Sequence, residues 1–249
     1  VGVVLEGVSG PEGDDKKTKG PKGYQENGGT SKPVVWVRHS RYALGLIASQ
    51  FHGNPSQRLS MIGVTGTNGK TTVTHLIKAL MEKAGRKAGL LGTVGYFIGS
   101  QSYAALHTTP GAVELQNLLG NMVEAGVDTA VLEVSSHALS LDRVAGCEFD
   151  VVVFTNLTQD HLDFHADMEE YFHSKLRLFT EFVEGQNKSF PKRAIVNLDD
   201  ERGEQIIQQT SIPVWTYGIQ AESDIRASDV RLFMKGTTFK VRTPQGRLS

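Results

Sequence analysis

Residues 63–72, Gly-Val-Thr-Gly-Thr-Asn-Gly-Lys-Thr-Thr, restrict the fold of this chain more than any other segment. An apolar run at 60–64 precedes them and a stretch of helical periodicity at 71–84 follows. A glycine-rich turn between a buried strand and a helix is the setting of a phosphate-binding loop. Backbone N–H groups and the positive end of the helix dipole converge there on an anion. Lys70 is spaced to reach β- and γ-phosphates, and the Thr71 hydroxyl to ligate Mg²⁺. Gly66, Thr67, Asn68, Gly69 and Thr72 complete the expected ATP-binding set, with Lys70 also expected to be catalytic. The usual spacing, G-x-x-x-x-G-K-[ST], puts its first glycine at position 64. This chain has Val64 there, and the extra glycine stands at Gly66.

The alternation continues downstream. Apolar runs at 89–94, 129–134, 151–155, 194–197 and 214–217 are separated by helical spacing at 113–125, 168–183 and 201–210. Strands alternating with helices predict an α/β fold with a doubly wound, mostly parallel sheet. The near-continuous apolar run at 151–155 predicts a strand covered on both faces. Residues 225–233 and 237–243 alternate apolar and polar around Lys235-Gly236, as in a hairpin, and predict a small β-rich appendage at about 222–249. Upstream, strand-like runs at 1–5 and 34–37 flank residues 9–33, rich in Gly, Lys, Asp, Glu, Pro and Asn. That composition predicts a flexible insertion. Leu44, Ile47, Ala48 and Phe51 fall at helical spacing and predict one buried face. The expected division is a partial N-terminal domain at 1–58 and a central ATP-binding domain at 59–249.

Composition excludes some function classes. A net charge of −1 gives no basic field for nucleic acid or an anionic membrane. The lone Cys147 rules out an intramolecular disulfide and fits a reducing compartment. No apolar run reaches transmembrane length and no signal peptide opens the chain. The first residue is Val1 rather than methionine and the last is Ser249. The chain is therefore expected to be a fragment whose upstream segment, including any targeting sequence, is not visible.

Three further stretches follow the loop in order. They are His107-Thr108-Thr109-Pro110, then Glu133-Val-Ser-Ser-His137 with Arg143, then Thr155-Asn156-Leu-Thr-Gln-Asp160-His161-Leu-Asp163 with Ser174-Lys175 and Leu178-Phe179. With Thr-Gly-Thr-Asn-Gly-Lys-Thr-Thr at 65–72, this set resembles the Mur ligase family, and within it the MurE-type branch. The resemblance implies an ATP-dependent amide ligase of peptidoglycan precursor synthesis. Such an enzyme adds meso-diaminopimelate or L-lysine to UDP-MurNAc-L-Ala-D-Glu through an acyl phosphate. It further implies a monomer in the cytoplasm, or in the plastid stroma of a plant or alga.

Glu133 closes an apolar strand, where a carboxylate is a natural hard-oxygen ligand for Mg²⁺. On strand context alone a helix-capping or surface acid is equally good, and the resemblance decides for metal. Histidine is an unusual partner for Mg²⁺, so spacing alone reads His161 as a structural hydrogen-bonder. The resemblance places it beside a second metal ion and among the catalytic residues. Lys175 reads by itself as a solvated helix lysine; the resemblance implies that it is carbamylated, becoming a carboxylate that supports the metal and the catalysis. Thr108, Thr109, Ser135, Arg143 and His107 match positions that grip the UDP-sugar peptide, and Arg143 suits a diphosphate or carboxylate. Thr109 also suits a helix N-cap, as do Asp199 or Asp200 before 201. His39, His52, His75, His165 and His173 have no ligand spacing and read as surface or capping groups. Two other readings are a folylpolyglutamate-synthase-like ligase and a catalytically silent scaffold of the same fold. The Thr-Thr-Pro and Glu-Val-Ser-Ser-His stretches speak against the first, and the complete set of chemical residues lowers the second.

Overall fold

The computed structural model of the chain describes residues 3–6, 34–183, 188 and 190–248; the expected insertion at 9–33 lies outside them. The described elements, in order, are β1 (Val3–Glu6), β2 (Val34–Val37), α1 (Ser40–Phe51), β3 (Ser60–Thr65), α2 (Lys70–Lys83), β4 (Ala88–Leu91), β5 (Tyr96–Ile98) and β6 (Gln101–Tyr103). There follow α3 (Ala112–Glu124), β7 (Thr129–Glu133), α4 (Ser136–Ser140), β8 (Val151–Phe154), α5 (Met168–Thr180), β9 (Arg193–Asn197), α6 (Arg202–Gln209) and β10 (Val214–Gly218). The last three are β11 (Ile225–Phe233), β12 (Gly236–Thr243) and β13 (Gly246–Leu248).

Eleven strands form one sheet in the order β13-β12-β11-β10-β9-β8-β3-β7-β4-β5-β6. From β11 across to β4 every pair is parallel, so the α/β, mostly parallel fold read from the alternation is the fold observed. The interior strands bury their residues on both faces: β4 and β7 are buried at every position. Phe149, Phe154, Phe172, Phe179 and Met61 fill the core against them. Each such side chain contributes about 1.5–3 kcal/mol by leaving water.

The β-rich appendage expected at about 222–249 is present as the β11–β12 hairpin, and because β11 pairs parallel with β10 it continues the main sheet. Two local details differ from the sequence pattern. Beyond β4, the two three-residue strands β5 and β6 form a hairpin too short to show as a sequence period. In α1 the buried residues are Gly45, Ala48 and Ser49, while Leu44, Ile47 and Phe51 are exposed. Close approach wins over hydrophobicity there: the Ser49 hydroxyl donates to the carbonyl of Gly146 at 3.0 Å, a spacing only a small-residue face permits. Separately, β1 and β2 pair parallel as a small sheet. No described helix is long and apolar enough to cross a membrane.

Candidate active site

Four parallel strands deliver their carboxyl ends to one crevice. β3 lies between β7 and β8, with β4 beyond β7. The chain therefore leaves β3 toward one side of the sheet and later returns to the other. Ligands of open α/β sheets collect at such a reversal of strand order. The phosphate-type loop follows β3, Gly92 and Thr93 follow β4, Glu133 ends β7, and Thr155 and Asn156 follow β8.

The loop's odd glycine has a local cause. Gly66 has φ +145°, and a Cβ there would lie 1.9 Å from Thr155 Oγ1 and 2.9 Å from the Asn156 carbonyl. Val64 is fully buried inside β3, paired with Glu133. The glycine is needed where the loop touches the β8 loop, one residue past the strand. Thr67 N and Asn68 N donate to the Asn156 carbonyl (2.8 Å) and side-chain oxygen (2.9 Å). The Thr155 hydroxyl donates to the Asn68 carbonyl at 2.7 Å. Gly69, in the left-handed region at φ +86°, caps α2; the first N–H groups of that helix, from Lys70 onward, have no partner within it. Thr72 is exposed beside them.

One wall of the crevice carries two lysines. Lys70 Nζ donates to the carbonyls of Gly66 and Thr67, both at 2.9 Å. Lys175, fully buried on α5, donates to the same Gly66 carbonyl at 3.0 Å and sits 4.3 Å from the Tyr171 ring centre. Burial lowers the Lys70 pKa, opposed by Glu133 and Asp160. Burial pushes Lys175 well below the usual lysine range, Lys70 adds to this, and Asp160 opposes it. Sequence pattern read this lysine as solvated, since neighbouring charges mask the burial. The Tyr171 hydroxyl bonds Thr67 Oγ1 at 3.1 Å and closes the wall.

The other wall is built on Glu133. Its Oε2 accepts from the Thr71 hydroxyl at 2.9 Å and the Thr93 hydroxyl at 3.1 Å, and its Oε1 accepts from Thr93 N at 3.0 Å. Gly92 makes room: a Cβ on it would lie 2.3 Å from Oε1. Thr93 was not among the residues the sequence pattern singled out. A lone threonine after a strand carries no spacing signal; Gly-Thr directly following an apolar run, with a buried acid ending a parallel strand, was the available hint. The structure also joins Thr93 Oγ1 to Thr108 Oγ1 at 3.0 Å.

Of the other expected residues, Thr109 caps no helix; Gly111 is the N-cap of α3. The Thr109 hydroxyl instead donates to the Glu133 carbonyl at 2.8 Å and accepts from Ser135 N at 3.1 Å. Ser135 caps α4 by accepting from Ala138 N. Arg143 Nη1 donates to the Thr109 carbonyl at 3.1 Å. His107 is exposed, and its carbonyl accepts from Tyr96 OH at 2.8 Å. His161 has φ +55° and stands 4.9 Å, ring centre to ring centre, from His137. His165 is not a surface group: it is buried, 5.1 Å from the Tyr171 ring centre, and neither ring nitrogen has a hydrogen-bond partner among the described residues. Asp200 Oδ1 accepts from Arg202 N at the start of α6, whereas Asp199 holds the N–H groups of Ile219, Gln220 and Ala221.

Residues 64–249 match the family model described as the Mur ligase middle domain. The chain belongs to the Mur ligase family. It is 46% identical over 214 residues to the UDP-N-acetylmuramoyl-L-alanyl-D-glutamate--2,6-diaminopimelate ligase of Bacillus licheniformis, which covers 86% of this chain and 44% of that protein. A solved structure of a UDP-N-acetylmuramoyl-L-alanyl-D-glutamate--2,6-diaminopimelate ligase superposes with a TM-score of 0.77 at 31% identity, covering 88% of this chain and 45% of that one. A folylpolyglutamate synthase of Mycobacterium tuberculosis, solved with ADP and AMPPCP, shares the fold at TM-score 0.66 and 17% identity, over 84% of this chain and 53% of that one. The chain thus spans under half the length of the curated Mur ligase relatives it matches.

Proposed function

We propose that this chain is the ATP-binding part of a MurE-type amide ligase, joining an amino acid to UDP-MurNAc-L-Ala-D-Glu. The observation that carries the reading is the meeting of Lys70, Thr71, Glu133 and Lys175 around one loop at a strand-order reversal. The Mur ligase relative at 46% identity supports this reading over a folylpolyglutamate synthase, and its name supports 2,6-diaminopimelate over lysine as the incoming amine.

In this reading residues 66–72 and the N-terminus of α2 bind ATP, and Lys70 neutralises charge on the transferring phosphoryl group. A hydroxyl and a carboxylate on one hard-oxygen wall fit Mg²⁺, which Thr71 and Glu133 would hold. When bound, the ion neutralises phosphate charge. An oxygen of the D-glutamate carboxylate bonds to the γ-phosphorus as the bond to the β-phosphate oxygen breaks, giving an acyl phosphate and ADP, which leaves with the electron pair. The incoming amine then attacks the acyl carbon, phosphate leaves with the C–O electron pair, and the amine loses a proton.

Lys175 supports a further step of preparation. Its lowered pKa favours the free amine, the form that adds to CO₂ and loses a proton to become a carbamate. That carbamate, with His161, would support a second cation. His107, Thr108, Ser135 and Arg143 are the proposed holders of the UDP-sugar peptide. Thr109, whose hydroxyl is spent on Glu133 and Ser135, sets their spacing. The domains proposed are 1–58, part of the UDP-substrate domain, and 59–249, the ATP domain, acting in a cytoplasmic or plastid-stromal monomer.

The test is ADP release by the full-length protein. It should require UDP-MurNAc-L-Ala-D-Glu, the amino acid and Mg²⁺ together. ADP release indifferent to the sugar peptide would refute the ligase reading, and no release under any condition would favour a silent scaffold.

A further inference from the structure

The hydroxyls on the Glu133 wall have a direction. A threonine hydroxyl has one proton to donate. Thr93 gives its proton to Glu133 Oε2 at 3.1 Å, because a carboxylate oxygen can only accept. In the 3.0 Å contact between Thr93 Oγ1 and Thr108 Oγ1, Thr108 must then be the donor. The protons run from Thr108 to Thr93 to Glu133. In this state Thr108 has spent its proton inward and can only accept from a ligand, although it stands at the mouth of the crevice.

We propose that Thr93 is a positioning residue that couples the Glu133 metal–nucleotide site to the acidic group of the acceptor substrate at Thr108. The proposal rests on the ligase reading above. A cation at Glu133 draws on the oxygen lone pairs that hold the Thr93 proton. Thr93 can then turn its O–H toward Thr108 Oγ1, which frees the Thr108 proton for a phosphate or carboxylate oxygen. The backbone N–H of Thr93, 3.0 Å from Oε1, does not depend on how the hydroxyl turns and keeps Glu133 aligned. Filling one site thereby converts the other from acceptor to donor, and by reciprocity the acidic substrate favours the cation. The two partners lie on different segments, with Glu133 closing β7 and Thr108 in the loop before α3, and Thr93 after β4 bridges them.

Calorimetric titration of full-length protein with UDP-MurNAc-L-Ala-D-Glu, with and without Mg²⁺ plus a non-hydrolysable ATP analogue, reads the coupling directly. Wild type should bind the sugar peptide on the order of 5–150-fold tighter with both present. Thr93→Val keeps the N–H but loses the hydroxyl, and should bring that factor to within about twofold of unity while each ligand alone still binds. Thr93→Ser should restore it. Thr108→Val should abolish the same coupling from the other end, even if Thr93→Val does not fold, and the double variant should lose no more than either single one. A wild-type factor retained in Thr93→Val, or in Thr108→Val, would overturn the proposal, as would a wild type that binds both ligands without coupling. A wild type that does not bind the sugar peptide at all would refute the ligase reading instead.

Discussion

On one side of the phosphate-type loop, a single carboxylate, Glu133, receives three donors from the protein itself. On the other side two lysines, Lys70 and Lys175, share one carbonyl oxygen, that of Gly66. The first wall is electrostatically settled: its charge sits among dipoles aimed at it. The second brings two lysines together in a buried space that disfavours their ammonium forms, opposed by Glu133 and Asp160 for Lys70 and by Asp160 for Lys175. The contrast teaches which wall is set for ligands already and which is set for chemistry. A buried lysine whose ammonium form is disfavoured is a nucleophile held in reserve. A carboxylate held by a backbone N–H is a fixed post, whichever way the hydroxyls beside it turn.

Removing Lys70, the lysine of the second wall that belongs to the loop itself, should have the largest effect. Lys70→Ala should lower ADP formation about 10³-fold, the upper range for losing one preorganised transition-state contact, measured as steady-state kcat in the full-length enzyme. Retained turnover would show that Lys70 lies across the loop without serving it. Lys175→Ala should cost less, about 10²-fold, and short-chain carboxylates should restore part of it, independently of bicarbonate.

The same lysine gives the comparison a pH signature. Its pKa is lowered on folding, so the unfolded chain binds more protons. In CO₂-free buffer, stability should therefore rise with pH from the lowered folded-state pKa up to the unfolded value near 10.5. Lys175→Met should flatten that rise and increase Tm at neutral pH by about 2–4 °C, corresponding to about 1 kcal/mol. An unchanged pH profile in the methionine variant would mean that Lys175 is not the group responsible. Smallest of all is Phe51→Ser on the outer face of α1, which is 83% exposed; it should leave stability within about 0.5 kcal/mol of wild type in chemical denaturation.

The alternation of strands and helices and the loop were legible because both depend on local pattern: apolar runs, helical spacing and glycine punctuation. The strand order around β3 depends on long-range pairing and was not. Lys70 and Thr71 were singled out for the same reason, whereas for Glu133 the local pattern left a capping or surface acid equally good and only the family likeness pointed to metal. Lys175 was legible only by likeness, because burial inside a charged helix leaves no trace in periodicity. Thr93 escaped altogether, since its importance comes from Glu133, forty positions away. In α1 the apolar spacing was genuine but misled, because contact with the Gly146 backbone selected Gly45, Ala48 and Ser49 for the inner face. Gly66 shows the reverse: a departure from the usual spacing that looked like a blemish has a steric reason on the neighbouring loop.

That contact also limits how portable the nucleotide loop is. Residues 63–72 grafted onto another strand and helix would arrive without Thr155 and Asn156, which hold the Thr67 and Asn68 N–H groups and the Asn68 carbonyl. The loop and the turn after β8 are two parts of a single mould, and any redesign that recasts one must recast the other.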